Sequence, residues 1–416
     1  MNILMANWTW YPSGGDWTYI ENLNHFYQAA GHKVIPFSMK DKRNFATPYE
    51  RFFIENIDYK ELNRNKSIGN ALTTIRTTIW NKEARNKLRE LLKEEKLDLA
   101  HFNNVHHYLT PASIVPELKQ HGVKMVWTLH DYVILCPNTT FVSNDKVCEK
   151  CLGGSFRHCI TNKCKKGSTA ASAVAALEAY ANGFFDPYKD IDHFICPSAF
   201  LRDKFIQAGF PPEKFSHVPN LFDFSTIDQA ARGEAYRHDR RYVLYVGRIQ
   251  TVKGVITLAR AMKGQDADLL VVGDGEDVET LRQTIARFGL DNVKLMGKKP
   301  RTEVLAFMKG AEFSVVPSEW YENLPYSVVE NLLLSKPVLG ARIGGIPELV
   351  IDNETGRLFR SGDEADLSAK IMEMLAVPEK LREWGENARR HTMDMVSFER
   401  YGEALAPIFG RIGLTF

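Results

Sequence analysis

Glu322 and Glu330 bracket the segment Glu322-Asn-Leu-Pro-Tyr-Ser-Val-Val-Glu330, with Pro325 placed where a helix can open. Proline suits the first turn of a helix because its φ is preset and its missing N–H has no partner to lose there. Read in this way, Glu322 lies in the loop before the helix and Glu330 in its second turn. A helix N-terminus offers free N–H groups and partial positive charge to a phosphate, and carboxylates around that phosphate can hold the hydroxyls of attached sugars. The chemistry is that of holding a sugar nucleotide. Two acids at this spacing also describe a solvated loop residue and an ordinary helix residue, so their partners decide the matter.

One set of partners lies in Gly247-Arg-Ile-Gln-Thr-Val-Lys-Gly254, after the apolar run Tyr242 to Val246. Arg248 and Lys253 there can neutralise a diphosphate and stabilise it as a leaving group, and the flanking glycines let backbone approach a ligand. Gly14-Gly15, after the first strand-like run, is either a similar backbone contact through Gly15 or an ordinary turn. Gly273-Asp-Gly275 reads as a tight turn. His130 and Asp131 end the run Val126-Trp-Thr-Leu129. A histidine there can hydrogen-bond a sugar hydroxyl or a developing charge, or be satisfied by nearby backbone. His101, His106 and His107 rank below it. Lys298, after the run ending at Met296, is placed either near a nucleotide base or simply at the surface.

The elements that must position these residues alternate strand and helix. Apolar strands are expected at Asn2 to Ala6, Lys33 to Pro36, Leu97 to Phe102, Val123 to Leu129 and His193 to Cys196. A second series is expected at Tyr242 to Val246, Asp268 to Val272, Val293 to Met296, Phe313 to Val316 and Pro337 to Ala341. Helical patterns separate them, which implies parallel sheets covered on both faces. The 416 residues are too many for one core, and the reading is two doubly wound α/β domains facing a cleft. The first covers residues 1–222, the second 223–392, and residues 393–416 form a terminal helix. Ligands bind such sheets at the carboxyl ends of the strands, where the strand order reverses.

Composition is ordinary for a globular chain, with 44% hydrophobic and 25% charged residues and a formal charge of +2. No global basic field points to nucleic acid. The N-terminus lacks the charged and apolar regions of a signal peptide, and no apolar run reaches the roughly 18 residues needed to span a bilayer. The expectation is a cytoplasmic protein. Five of six cysteines, Cys136, Cys148, Cys151, Cys159 and Cys164, fall in one short segment. Cys148 and Cys151 have zinc-knuckle spacing, and a later cysteine or His158 can complete a tetrahedral structural zinc site; free thiols fit equally. From Arg64 to Lys96 a Lys- and Arg-rich stretch, interleaved with Leu88, Leu91 and Leu92 but also with glutamates, is either a peripheral membrane contact or a solvated helix face.

Taken together, Glu322 to Glu330 with Pro325, the Gly247-Arg248 to Lys253-Gly254 loop, His130 at a strand end, Pro219-Asn220 and Gly344-Gly345-Ile-Pro347-Glu348 resemble the family 4 (GT4) retaining glycosyltransferases. The resemblance implies the GT-B fold, two facing Rossmann-like domains with a helix near Phe398 to Phe409 crossing back to the first. It implies a hexosyltransferase-like enzyme that moves a sugar from a nucleotide-diphosphate donor to a hydroxyl of a saccharide or lipid-linked saccharide, as in bacterial polysaccharide or glycoconjugate synthesis. No catalytic metal is implied. Carried over, Arg248 and Lys253 hold the diphosphate, Glu330 the ribose, and Glu322 the transferred sugar with the N–H groups of Asn323 and Leu324. Gly15 approaches the diphosphate and His130 the reacting carbon. The alternatives are a sugar-nucleotide epimerase on the same plan and a non-catalytic sugar-nucleotide-binding interaction protein. Trp320-Tyr321 and Asn323-Leu324 stand where the family often has glycines, so a differently shaped sugar pocket is expected. The cysteine segment is the second departure.

Overall fold

The computed structural model describes residues 1–57 and 76–415. It contains two six-stranded parallel sheets, each flanked by helices. In the first half the strands are β1 (Asn2–Ala6), β2 (Lys33–Phe37), β3 (Leu99–Phe102), β4 (Lys124–Thr128), β7 (His193–Cys196) and β8 (Phe215–His217), in the order β2-β1-β3-β4-β7-β8. In the second they are β9 (Tyr242–Val246), β10 (Asp268–Val272), β11 (Val293–Gly297), β12 (Ser314–Val316), β13 (Val338–Ala341) and β14 (Gly356–Phe359), in the order β11-β10-β9-β12-β13-β14. Buried parallel strands carry side chains into both helix layers, which is why β9 and β10 read as unbroken apolar runs.

Strand order sets the site. The order reverses between β1 and β3 in one half and between β9 and β12 in the other. The loops leaving those strands open a crevice because their helices depart to opposite faces. The loop at 247–254 follows β9 and the loop at 317–325 follows β12, so chain segments about seventy residues apart meet at one place. Residues after β1 and β4, with Asn220 after β8, form the opposing wall.

The last helix, Phe398–Arg411, packs Tyr401, Leu405, Ile408 and Phe409 into the core of the first half, beside Ile3, Met5, Tyr19 and Ile20. Each such buried side chain contributes roughly 1.5–3 kcal/mol. Hydrogen bonds reinforce the crossing, since the Tyr401 hydroxyl pairs with that of Tyr19 (2.5 Å), which also pairs with Thr128 Oγ1 (2.8 Å).

Three expectations need correction. Strands β8 and β14 and a short hairpin, β5 (Val142–Ser143) with β6 (Lys146–Val147), were not foreseen. β8 and β14 are edge strands of three and four residues, too short to show a period. The basic stretch places its apolar face inward, because Ala84, Leu88 and Leu91 of helix Lys82–Glu94 are buried in the first core and Arg85 and Arg89 are tied to Glu117. That helix has no free apolar face for a membrane, and the part of the stretch at 58–75 lies outside the described residues. Among the described residues no helix is long and apolar enough to cross a bilayer.

The zinc expectation finds no support. No group of three or more His, Cys, Asp or Glu side chains able to hold a metal is found among the described residues. Cys136, Cys148, Cys151, Cys159 and Cys164 are free thiols. Cys151 and Cys159 are packed with Ala176 in a small apolar cluster, where burial pushes both thiols up to about 12. They act there as small hydrophobes.

Candidate functional site

The crevice encloses about 280 Å³. Its second-half wall is a hydrogen-bonded charge cluster built on Glu322. That residue is 8% exposed. Its Oε1 accepts from Lys253 Nζ (2.7 Å), Ser318 Oγ (2.7 Å) and Trp320 Nε1 (2.8 Å). Burial works against the charge, but the Lys253 ammonium and these donors outweigh it and hold the carboxyl below its ordinary range. All three donors converge on Oε1, which leaves Oε2 without a protein donor among the described residues. Lys253 also stands over the Trp320 ring, 4.5 Å from its centroid, a cation–π contact that fixes the ammonium further.

Glycines allow the loops to close this tightly. A Cβ on Gly254 (φ +71°) would lie 1.8 Å from the Pro317 carbonyl oxygen, and one on Gly345 1.9 Å from that of Asn323. Gly273-Asp-Gly275 packs against the 247–254 loop in the same way, with a Cβ on Gly273 falling 1.9 Å from the Gly247 carbonyl oxygen. Its part is loop packing, and its residues do not line the cavity.

Arg248 lines the crevice too, but it is exposed and has no carboxylate partner among the described residues. It is the cation left uncompensated at the mouth. Asn323 and Leu324 line the cavity just before helix Tyr326–Leu333. The Asn323 carboxamide also clasps the other half, accepting from Ser198 Oγ (2.6 Å) and donating to the Leu129 carbonyl (3.2 Å). Glu348, of the Gly344-Gly345-Ile-Pro-Glu motif, crosses likewise: its carboxylate accepts from the backbone N–H groups of Ala199 and Phe200, both at 2.7 Å, at the start of helix Ala199–Gln207.

On the first-half wall, Gly15 opens helix Gly15–Ala29 and faces Tyr326, where a Cβ on Gly15 would make an ordinary contact with the Tyr326 ring at 3.6 Å. Asp16, His130, Asp131, Tyr132, Thr139 and Asn220 complete that wall. His130 Nε2 donates to Asn103 Oδ1 (3.0 Å), since a carboxamide oxygen can only accept. This tautomer leaves Nδ1 as an acceptor. Burial pushes the His130 pKa down to about 4 against the pull of Asp16, so the ring is neutral near pH 7. Asp131, by contrast, is raised by burial despite its bond from the Val133 N–H.

The structure therefore brings together Gly15, His130, Arg248, Lys253, Glu322, Asn323 and Leu324. Two expected residues lie outside the lining. Glu330 is on helix Tyr326–Leu333, paired with Arg301 at 2.9 Å, and burial raises its pKa in spite of that partner. Lys298 is an exposed residue beyond β11. His101 is wholly buried, bonded to Tyr27 and Thr128, and is structural. Asp16, Ser318, Tyr132 and Arg301 had no motif of their own; a hydroxyl four residues before Glu322 was the only available signal for Ser318.

Known proteins resemble this chain in sequence and in fold. A glycosyltransferase of Methanocaldococcus jannaschii is 34% identical over 151 residues, 36% of this chain and 43% of that protein. Alpha-D-kanosaminyltransferase of Streptomyces kanamyceticus is 29% identical over 224 residues, 50% of this chain and 57% of that protein. The chain thus matches about half the length of these relatives. Among solved structures, Anabaena HepE in complex with UDP-glucose superposes with a TM-score of 0.61 at 19% identity, covering 99% of both chains, and the shared architecture is GT-B. The description "Glycosyl transferases group 1" matches residues 227–391. "Glycosyltransferase Family 4" matches residues 13–226, and with both halves so matched the chain belongs to the family 4 glycosyltransferases.

Proposed function

We propose that the protein transfers a sugar, with retention of anomeric configuration and without a catalytic metal, from a nucleotide diphosphate to a hydroxyl of a saccharide or lipid-linked saccharide acceptor. The setting would be polysaccharide or glycoconjugate synthesis. The observation that carries this reading is the convergence of Lys253 on Glu322 at the switch point, with Arg248 unpaired beside it. A lysine and an arginine beside a helix start suit a diphosphate, and a carboxylate with one free oxygen suits a sugar hydroxyl. HepE with UDP-glucose supports the ligand class, and the kanosaminyltransferase supports transfer of a sugar.

In this reaction the bond from the anomeric carbon to the β-phosphate oxygen breaks as the bond to the acceptor oxygen forms on the same face. The acceptor proton goes to the departing diphosphate. Arg248 and Lys253 stabilise the charge that develops there, while the N–H groups of Asn323 and Leu324 help Glu322 hold the transferred sugar. Neutral His130 accepts a hydrogen bond from the sugar through Nδ1. Glu330, steadied by Arg301, holds the ribose, and Gly15 lets the first-half helix start approach the phosphates. No carboxylate is assigned as a covalent nucleophile.

A panel of UDP- and GDP-sugars, with and without EDTA, tests this. Release of nucleoside diphosphate and formation of an α-linked product from an α-linked donor, unaffected by EDTA, is the expected result. Inversion of configuration or loss of turnover with EDTA would contradict it.

A further inference from the structure

The cleft wall near Glu322 is aromatic, and its buried polar atoms without a partner among the described residues include the Tyr132 hydroxyl, with the Tyr326 hydroxyl and Asn220 Oδ1 elsewhere in the lining. Tyr132 lines the cavity and is 2% exposed, yet its hydroxyl has no hydrogen-bond partner among the described residues. Leaving a buried hydroxyl unpaired costs roughly 1–3 kcal/mol. A phenylalanine would fill the same space without that cost.

The ring is held in place from both sides. Its centroid is 4.9 Å from that of Phe141 and 6.4 Å from that of Tyr321. Phe141 is fully buried and belongs to the cysteine-rich loop. The loop turns around Tyr132 through Thr139 (φ +70°) and Phe141 (φ +51°), left-handed conformations that cost non-glycine residues roughly 1–2 kcal/mol each. Tyr321 packs against Phe200 in a tilted pair, centroids 4.7 Å apart, and donates its hydroxyl to Glu149 (2.6 Å), which Lys204 also engages (2.5 Å). Packing rather than hydrogen bonding therefore fixes where the Tyr132 hydroxyl sits. Burial, then the charge of Glu322, raises its pKa well above the ordinary value, so it is a proton donor at any working pH.

Tyr132, with its unpartnered hydroxyl, and Glu322, whose Oε2 takes no protein donor among the described residues because Oε1 takes all three, both line this crevice. We propose that Tyr132 is a sugar-reading residue, its hydroxyl hydrogen-bonding a ring substituent of the transferred sugar while Glu322 Oε2 accepts from a second hydroxyl. The cysteine-rich loop then serves sugar selection by pressing Phe141 against Tyr132. This assignment rests on the proposed transferase reading and deepens it. A site built to bond a substrate hydroxyl discriminates strongly against analogues that lack it, because its own polar group is then left buried and unpaired.

The test is Tyr132→Phe in the whole chain, with UDP, UDP-glucose, UDP-galactose, UDP-N-acetylglucosamine and GDP-mannose as probes for calorimetric binding and turnover. For the best donor, kcat/KM should fall about 10- to 100-fold, and the preference among sugars should narrow. UDP alone should bind as tightly as to wild type. Thermal stability should be unchanged or higher, because the orphan hydroxyl is gone. Deoxy analogues of the best donor locate the contact, since the analogue lacking the bonded hydroxyl should be handled alike by both proteins. A stable Tyr132→Phe protein with unaltered sugar preference and UDP-sugar affinity overturns the role of Tyr132 and leaves the transferase reading intact. A wild-type protein that binds none of these nucleotides overturns both.

Discussion

The two walls of the crevice solve opposite problems. The second-half wall is charged and internally paired, with Lys253, Ser318 and Trp320 all satisfying one oxygen of Glu322, on loops packed through glycine. The first-half wall, apart from Asp16 and Asp131, is neutral and partly unsatisfied: His130 is kept uncharged by burial and the Tyr132 hydroxyl has no partner among the described residues. A diphosphate carries fixed charge and needs cations already in place, since preorganised dipoles cost no reorganisation as charge moves. A sugar offers only hydroxyls, which are told apart by groups that would otherwise lack a partner. Charge recognition is built complete, whereas hydroxyl recognition is completed by the ligand.

The sharpest break in this comparison lies within the charged wall. Lys253→Ala and Arg248→Ala should each lower turnover by about 100-fold or more if they stabilise the departing diphosphate. They should differ in stability. Lys253 is the counterion of a buried carboxylate, and removing one member of such a pair is strongly destabilising; Arg248 has no such partner, so its loss should leave the melting temperature nearly unchanged. The pH dependence follows. The Glu322 pKa is lowered below 4.5 in the folded protein, so its contribution to stability is present above that value and lost as pH falls through the folded pKa. In Lys253→Ala the folded pKa rises toward or beyond the unfolded one, so this acid-side loss of stability should shrink. Equal melting temperatures for both variants would show that the Lys253–Glu322 contact adds nothing to the fold.

Next in size is the contact that holds the walls together. Glu348→Ala removes the acceptor for two N–H groups at the start of helix Ala199–Gln207. Loss of a helix-capping acceptor costs about 1 kcal/mol, up to about 2, read by urea denaturation. Because the contact crosses between halves, KM for the donor should rise as well. A loss of stability with no change in KM would mean that Glu348 serves only the helix.

This contrast also explains what could be read from sequence. Lys253, Arg248 and Glu322 were legible because charge must be carried by a few residue types, at loop positions that parallel strands mark. The strands were legible because burial on both faces makes unbroken apolar runs. Tyr132 was not, since an aromatic beside a strand end looks like core until its unpaired hydroxyl is seen. Arg301 was hidden because its ion pair with Glu330 joins two helices with no shared motif. The cysteine spacing misled for a related reason: the two-residue gap permits a metal knuckle but equally permits two small side chains to pack, and here burial decided.

A third prediction concerns the neutral wall. The His130 pKa is lowered to about 4 from 6.5, so the folded state binds fewer protons than the unfolded one between those values. Stability should therefore rise with pH through that window, and His130→Asn should reduce the slope by up to about 1.4 kcal/mol per pH unit near the middle. His101, pushed down to about 3 by burial, adds a slope of the same sign that this substitution leaves in place. An unchanged slope would show that His130 titrates freely and is not held neutral.

The smallest effect probes how the neutral wall is supported from behind. Tyr401 of the last helix bonds Tyr19, whose ring lies 4.9 Å from that of His130. Tyr401→Phe removes one hydroxyl, but Tyr19 keeps its bond to Thr128 Oγ1, so no polar atom of Tyr19 is stranded. The cost should be that of one net hydrogen bond, about 0.5–1.5 kcal/mol, measured as a shift in denaturation midpoint. Turnover should change by less than it does in any variant of the charged wall, because Tyr19 is still gripped by Thr128 and packing and His130 keeps its bond to Asn103. A loss of turnover as large as that in Arg248→Ala would mean that the crossing helix sets the position of His130, and the neutral wall would then depend on the end of the chain as the charged wall depends on Lys253.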